Sequence, residues 1–232
     1  YLISKIGRFI ENSMMRNIIG QERSGFDLRE IMDRKKILLV NLSKGQVGEL
    51  NSSLLGLIIV SKLQMAALAR ADMPAEQRND FFLYIDEFQN FITDSIATIL
   101  SEARKYRLDL ILGHQYIGQL SPKQGDTKVR DAVFGNVGTI VAYRVGVDDA
   151  ELMAKQLAPV FNEYDVINTE KYTASVRLLI HNTAARPFSM RAFPPPKGDP
   201  NIADAIRQLS RLKYGRDRAL VEAEILERSQ LG

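Results

Sequence analysis

The chain has 232 residues, of which 45% are hydrophobic and 25% charged. This composition favours a folded domain and excludes an intrinsically disordered chain. The absence of cysteine excludes disulfide bonds and thiolate metal sites, and two histidines leave little material for an imidazole metal site. The net charge of +3 does not by itself indicate a nucleic-acid-binding protein, so any such surface must be local. No apolar run approaches the roughly 20 residues that cross a bilayer, and the start at Tyr1 rather than Met suggests an excised piece.

Apolar and polar residues alternate along the chain at spacings that predict strands separated by helices. Short apolar runs rich in branched residues predict buried strands, and longer stretches with helical periodicity predict helices. The predicted strands cover residues 36–42, 81–86, 108–113 and 138–145. The predicted helices cover residues 1–19, 51–71, 93–107, 125–136 and 148–157. Because alternating strands and helices are typical of parallel sheets, we expect an α/β fold with a mostly parallel sheet flanked by helices.

The pattern changes after Pro159. Residues 172–182 and 186–193 alternate with period two around Asn-Thr-Ala-Ala, which predicts an antiparallel β-hairpin. Three prolines end this hairpin, and two short amphipathic helices broken at Gly215 are predicted to follow it. The sequence therefore predicts a first domain over residues 1–197 and a helical tail over residues 198–232.

Two adjacent carboxylates, Asp86 and Glu87, stand at the end of the apolar strand Phe-Phe-Leu-Tyr-Ile. Open α/β folds bind ligands at the carboxyl edge of the sheet, where this strand ends. In P-loop ATPases the Asp of such a pair holds Mg²⁺, usually through water, and the Glu polarises the attacking water. The same pattern also arises by chance as a strand with a solvated acidic end, so the pair alone leaves both interpretations open.

Two residues near the next strand extend this pattern. Gln115 follows strand 108–113, where a glutamine can sense a γ-phosphate or position a water molecule. Arg104 ends the preceding helix, and a fixed charge with a forked donor set suits an arginine finger that serves a neighbouring subunit. Arg104 is equally explained as a cation that stabilises the carboxyl end of its helix.

Several segments, in order, carry a resemblance to a known family. YIDEFQNF, SEARKYRLDLILGHQYIGQL and FGNVGTIVAYRVGVDDAE resemble the motor domain of type IV coupling proteins, which are conjugative DNA-transfer ATPases of the HerA/FtsK superfamily. Residues 17–56 resemble the segment that precedes the acidic motif in that family. The resemblance runs from about residue 14 to 195 and implies a RecA-like ATPase that pumps DNA through a hexameric ring.

The resemblance also implies roles for individual residues. Asp86 matches the position that holds Mg²⁺ through water beside bound ATP, and Glu87 matches the catalytic carboxylate. Arg104 matches the arginine finger, and Gln115 matches the nucleotide-sensing glutamine.

Two further arginines are weaker candidates. Arg107 is close enough to Arg104 to be a rival for the finger position. Arg144, at the end of strand 138–145, is a candidate contact to nucleotide or to a neighbouring subunit. As a strand-edge arginine, Arg144 is equally well explained as structural.

The sequence departs from the family in one respect, since no G-x-x-x-x-G-K-[S/T] phosphate loop occurs in it. The stretch SKGQVGELNSS lies between a predicted strand and helix, but Lys44 precedes the glycines and no lysine follows them at the phosphate-binding position. In the family this loop lies on the first strand, far upstream. We therefore expect the C-terminal half of a longer ATPase, a partial domain that lacks the P-loop strand and is inactive alone.

For DNA, the resemblance implies passage through the pore of the ring with contacts mainly to phosphates. The loop 116–128 contains Lys123 and Lys128 and is a candidate pore loop, and Lys44 is a second candidate contact. Lysines also occur in loops simply because loops are solvated. The expected partners are DNA, other copies of the chain, and relaxosome or type IV secretion components. We expect no membrane contact from this segment and a cytoplasmic location, with the question of an upstream membrane anchor left open.

Two alternatives remain beside the coupling-protein hypothesis. The first is a HerA-like DNA-processing or chromosome-pumping ATPase, which upstream transmembrane segments would argue against. The second is a non-catalytic module that binds DNA or protein, which an upstream phosphate loop would argue against.

Overall fold

The computed structural model describes residues 12–92, 94–121 and 126–230. The α-helices are α1 (Ser13–Ile19), α2 (Leu28–Asp33), α3 (Lys44–Val47), α4 (Glu49–Leu68), α5 (Asp94–Glu102), α6 (Lys128–Asn136), α7 (Val147–Gln156), α8 (Glu163–Ile167), α9 (Pro200–Tyr214) and α10 (Arg218–Gln230). The strands are β1 (Phe81–Ile85), β2 (Leu108–Leu112), β3 (Ile140–Ala142), β4 (Thr173–Arg177), β5 (Leu179–Ile180), β6 (Thr183–Ala184) and β7 (Phe188–Arg191). Residues 29–195 form one compact unit, and the described parts of 1–28 and 196–232 form a second.

Strands β1 and β2 form a parallel pair, joined through α5, in register from Phe81 opposite Leu108 to Ile85 opposite Leu112. Successive strand side chains point to opposite faces, so Phe82 and Tyr84 share a face. Both are exposed, whereas Ile85 on the other face is buried. The parallel pair is therefore covered on one face within the described residues.

The predicted strand at 36–42 is wrong for this structure, because residues 36–42 pair with no strand in the part of the chain that is described. Ile37 is 89% exposed and Leu39 75% exposed, although the sequence pattern predicts burial. An apolar run specifies a strand only when a neighbouring strand supplies hydrogen bonds and an opposing layer covers its side chains. Among the described residues, parallel pairing is accordingly confined to β1 and β2. The parallel sheet therefore has fewer strands than the sequence predicts.

The second sheet is antiparallel and has the order β3–β4–β7. The predicted hairpin is confirmed by the pairing of β4 with β7, and the small hairpin β5–β6 lies between them in sequence. The strand predicted at 138–145 is shorter than expected and pairs antiparallel with β4 instead of joining a parallel sheet. Its spacing indicates a buried strand but cannot specify the partner. The core beneath this sheet contains Ile117, Ile140, Ala142, Ala150, Met153, Leu157 and Val166.

Helix α4 packs through one face, which includes Leu55, Gly56 and Leu63. A Cβ at Gly56 would lie 2.1 Å from the Phe91 ring, so only glycine lets this ring approach the helix backbone so closely. Although polar residues interrupt it, the helical stretch Glu49–Asp72 is also long and apolar enough to cross a membrane. Core helices of soluble proteins meet the same criterion, so the property assigns no membrane role.

In the second unit, helix α1 packs against α10. Asn17 donates to Glu222 at 2.8 Å, Arg228 donates to the carbonyl of Gly20, and Val221 is buried. The predicted helix 1–19 is seen over Ser13–Ile19, and its earlier residues lie outside the described part of the chain. Both predicted tail helices are present, and Gly215 ends the first of them.

Candidate functional site

The loops that follow β1 and β2 are held together at the carboxyl edge of the parallel pair. The N–H of Gly113 donates to the carbonyl of Ile85, and the N–H of Phe88 donates to the carbonyl of Gly113, each at 2.9 Å. These bonds continue the strand pairing beyond the strands. They bring the residues after β1 directly beside those after β2.

Glu87 is held by two amide side chains. Its Oε1 accepts a 2.7 Å hydrogen bond from Gln115 Nε2, and its Oε2 accepts one from Gln89 Nε2. The backbone of Glu87 is left-handed, with φ of 50°, which turns the chain sharply after β1. The structure thus brings together two residues that the sequence singles out and adds Gln89, which the sequence pattern does not single out. An amide two residues after the acidic pair was the available signal.

The turn after Glu87 is held by a buried ring and a side-chain hydrogen bond. Phe88 is fully buried, and Asn90 Nδ2 donates to the carbonyl of Glu87 at 3.0 Å. Lys44 Nζ lies 3.2 Å from Asn90 Oδ1 and 3.1 Å from Glu49 Oε1. Lys44, predicted as a DNA contact, therefore binds Asn90 in the turn that follows the carboxylate pair.

Asp86 is exposed, and its Oδ1 accepts the backbone N–H of Glu87 at 3.0 Å. A Cβ at Gly113 would lie 3.3 Å from this oxygen, so glycine leaves room for the carboxylate. No cluster of three His, Cys, Asp or Glu side chains that could hold a metal occurs among the described residues. Mg²⁺ usually keeps several waters and binds through one or two carboxylates together with substrate phosphates. One exposed aspartate fits that mode of binding and does not form a complete protein cage.

Gln115 is positioned by the loop that follows it. Gln119 Oε1 accepts the backbone N–H groups of Gln115 and Tyr116 at 3.2 and 3.3 Å. The next N–H, of Ile117, donates to the buried carboxylate of Asp149 at 2.9 Å. This loop is therefore fixed to helix α7 and holds Gln115 close to Glu87.

Arg104 lies at the opposite end of β2 from Gln115. The five-residue strand between them spans about 16 Å at about 3.3 Å per residue. The Arg104 side chain is exposed and donates to Asn182 Oδ1 at 3.0 Å. Arg107 has a left-handed backbone and forms an ion pair with Asp80 at 3.2 Å. Neither arginine is brought to Glu87 within one chain.

Among the described residues, the remaining candidates make no hydrogen bond or ion pair with Asp86 or Glu87. Arg144 is exposed and follows β3 in the antiparallel sheet, so it does not extend the parallel pair. Lys128 is the exposed first residue of α6. Lys123 lies outside the described residues.

Residues 80–185 match the protein family described as the TraM recognition site of TraD and TraG. No curated protein sequence matches the chain. Among solved structures, the plasmid coupling protein TrwB in complex with ADP and Mg²⁺ has 17% identity and a TM-score of 0.50, covering 61% of this chain and 36% of that chain. TrwB in complex with the non-hydrolysable GTP analogue GDPNP has 19% identity and a TM-score of 0.45, covering 57% of this chain and 37% of that chain.

At 17% identity, the first of these structures shows a shared α/β fold, and this chain spans about a third of its length. The family match adds the sequence evidence for the stretch that contains Asp86, Glu87, Arg104 and Gln115. Together these findings confirm that the chain resembles the C-terminal portion of a type IV coupling protein.

Proposed function

We propose that this chain is the C-terminal half of the RecA-like motor domain of a ring-forming, DNA-translocating ATPase that acts as a coupling protein in conjugation and type IV secretion. The observation that carries the proposal is the 2.7 Å hydrogen bond between Gln115 and Glu87, beside Asp86 at the carboxyl edge of a parallel strand pair. ATP-hydrolysing sites of this class need a carboxylate for the attacking water and a polar residue that senses the γ-phosphate. The TrwB structure in complex with ADP and Mg²⁺ supports nucleotide use in proteins of this fold.

The uncovered face of the parallel pair supports a partial domain. Phe82 is 58% exposed and Tyr84 73% exposed on β1, and Ile37 is 89% exposed in the segment before α3. Parallel sheets occur almost only with both faces covered. In the complete protein, we expect an upstream half that carries the phosphate loop to cover this face and to pair with residues 36–42.

In this proposal Glu87 orients the attacking water and accepts its proton. Gln115 and Gln89 hold the carboxylate in place, and Gln115 also detects the γ-phosphate. Asp86 would hold Mg²⁺ through water, and an ion held there would supply positive charge to the phosphates. The remaining groups of the site, including the phosphate loop, come from the upstream half.

Arg104 acts on the nucleotide of a neighbouring subunit in this proposal. It is separated from its own Glu87 by the length of β2, about 16 Å, and it is exposed. An arginine finger supplied in trans requires assembly, so hydrolysis depends on ring formation. Arg144 is proposed as a further contact to nucleotide or neighbour.

DNA is the proposed cargo, held through phosphates by Lys123 and Lys128 in the pore. Lys44 stays a proposed DNA contact, although its position beside Asn90 also suits the nucleotide site. We propose a cytoplasmic location for the protein, at the inner face of the cytoplasmic membrane where the full-length protein carries an anchor.

A second candidate function is an assembly module that binds a relaxosome protein without hydrolysing nucleotide. The family description, which names TraM recognition, supports it. Such a module would bind a TraM-type protein equally well with and without Glu87.

The test is ATP hydrolysis by the complete protein that carries an upstream phosphate loop, with and without Glu87→Gln. We expect a loss of at least about 100-fold in turnover, since the water loses its base. Glu76→Gln, at an exposed glutamate in the same unit, is the matched control and should keep full turnover. Equal and measurable turnover in Glu87→Gln and wild type would overturn the catalytic assignment, whereas no turnover in either protein would favour the assembly module.

A further inference from the structure

Arg70 is a charged side chain that is fully buried, directly after helix α4. Its Nε pairs with Asp33 Oδ1 at 2.9 Å, and its Nη1 donates to the carbonyls of Asn79 and Tyr106, both at 3.0 Å. One guanidinium therefore joins α2, the end of α4, the approach to β1 and the turn before β2. The turn before β2 carries Arg104.

A second arginine holds the same turn. Arg78 Nη1 donates to the carbonyl of Lys105 at 2.6 Å, and its guanidinium lies 5.5 Å from the centre of the Tyr106 ring. Its Nε and Nη2 bind the carbonyl of Met73, which fixes the guanidinium in turn. The two carbonyls that immediately follow Arg104, those of Lys105 and Tyr106, are thus each bound by an arginine.

The burial of Arg70 is costly for folding. Desolvation lowers the pKa of its guanidinium, the nearby Asp33 opposes that effect, and its Nη2 has no hydrogen-bond partner within the described residues. Replacing buried ion pairs by apolar residues of similar volume is often neutral or stabilising. A buried arginine that binds several carbonyls is therefore poorly explained by stability alone, whereas it suits a backbone that must be held in one geometry.

We propose that Arg70 is a positioning residue for Arg104, because it fixes the backbone of the turn from which Arg104 projects. The inference rests on the proposed function, in which Arg104 reaches the nucleotide of a neighbouring subunit. Misplacing a catalytic group by about 1 Å can lower a rate on the order of 100-fold. A turn bound at successive carbonyls keeps Arg104 within that tolerance.

The experiment uses the complete protein and compares Arg70→Lys with Arg104→Ala. Lysine keeps a charge near Asp33 but lacks the planar fork that binds a carboxylate and two carbonyls together. We expect Arg70→Lys to lower kcat on the order of 10-fold or more while the KM for ATP changes little. Arg177→Lys is the matched control, since Arg177 also binds a carbonyl, that of Gln156 at 2.9 Å, but lies in the other sheet and should keep full kcat.

A mixing experiment separates positioning from a general loss of structure. Subunits with Arg70→Lys keep Glu87, and subunits with Glu87→Gln keep a well-placed Arg104. Mixed rings of these two variants should regain turnover, because each intact Glu87 can meet an intact finger. Mixed rings of Arg70→Lys and Arg104→Ala should not, since both lack a working finger.

The outcomes distinguish the two levels of the hypothesis. Full turnover in Arg104→Ala would overturn the finger itself and that part of the proposed function. An inactive Arg104→Ala with a fully active Arg70→Lys would overturn only the positioning role, as would equal recovery in the two mixtures. If Arg70→Lys does not fold, Arg78→Lys replaces it and must give the same recovery with Glu87→Gln. Failure of that recovery would overturn the inference.

Discussion

Gln115 binds Glu87 at 2.7 Å although 28 residues separate the two in sequence. The parallel register of β1 and β2 accounts for this contact, because strands that start together also end together. Gln89 completes the arrangement from the other side of the carboxylate. Glu87 is consequently fixed through both oxygens.

Removing either amide should loosen Glu87. We expect Gln89→Ala and Gln115→Ala each to lower kcat of the complete protein on the order of 10-fold. Because both hold one carboxylate, the double variant should lose less than the product of the single losses. Steady-state ATPase assays of the four proteins measure this coupling, with Gln77→Ala at an exposed glutamine as control. Strictly multiplicative losses would show that the two amides act independently.

The two candidate fingers should differ in effect. Arg104→Ala should abolish most turnover of the assembled protein while nucleotide binding persists, because a finger stabilises charge that develops during the reaction. Arg107→Ala removes only an exposed ion pair with Asp80, which contributes up to about 1 kcal/mol. Parallel measurements of turnover and of fluorescent-nucleotide binding decide between them. The reverse ranking would assign the finger to Arg107.

Gly56→Ala should destabilise the fold by about 1–3 kcal/mol, as expected for overpacking. Its new methyl group would lie 2.1 Å from the ring of Phe91, which is the last residue of the turn after Glu87. Gly135→Ala is the matched control, since a Cβ there has nothing within 4 Å. That change should stabilise helix α6 by about 0.5–1 kcal/mol. Urea unfolding of the chain measures both, and equal effects would contradict the close approach at Gly56.

Asp109 should make stability depend on pH. Burial raises the pKa of its carboxyl above the ordinary 3.8, the nearby Asp80 raises it further, and Arg107 and Arg104 oppose the change. Between the pKa of Asp109 in the unfolded chain and its higher pKa in the folded chain, the folded state binds more protons than the unfolded state. The contribution of Asp109 to the free energy of unfolding therefore falls as pH rises through this range. Asp109→Asn should therefore stabilise the chain at pH 7 but not below pH 3.8. Urea unfolding at both pH values checks this, with Glu76→Gln as an exposed control.

The sequence predicted the parallel pair and the β4–β7 hairpin because their signals are local. Alternation, branched residues and terminating prolines indicate where a strand or a hairpin lies, and they can be seen from neighbouring residues alone. Residues 36–42 and 138–145 carry equally good strand signals, yet the first segment pairs with no strand among the described residues and the second joins the antiparallel sheet. The strand that an apolar run pairs with lies far along the chain. The run has the same sequence pattern whether that strand is parallel, antiparallel or absent from the described residues.

The candidate site also has residues that the sequence identifies and residues that only the structure identifies. The absence of cysteine excludes disulfide and thiolate metal chemistry, and the order of the motifs identifies Asp86, Glu87 and Gln115 as candidate members of one site. The structure adds Gln89 as a second partner of Glu87, because the left-handed turn at Glu87 brings these two neighbouring side chains together. The burial of Arg70 was likewise decided by tertiary packing, since its partners at residues 33, 79 and 106 meet only when three segments of the chain converge.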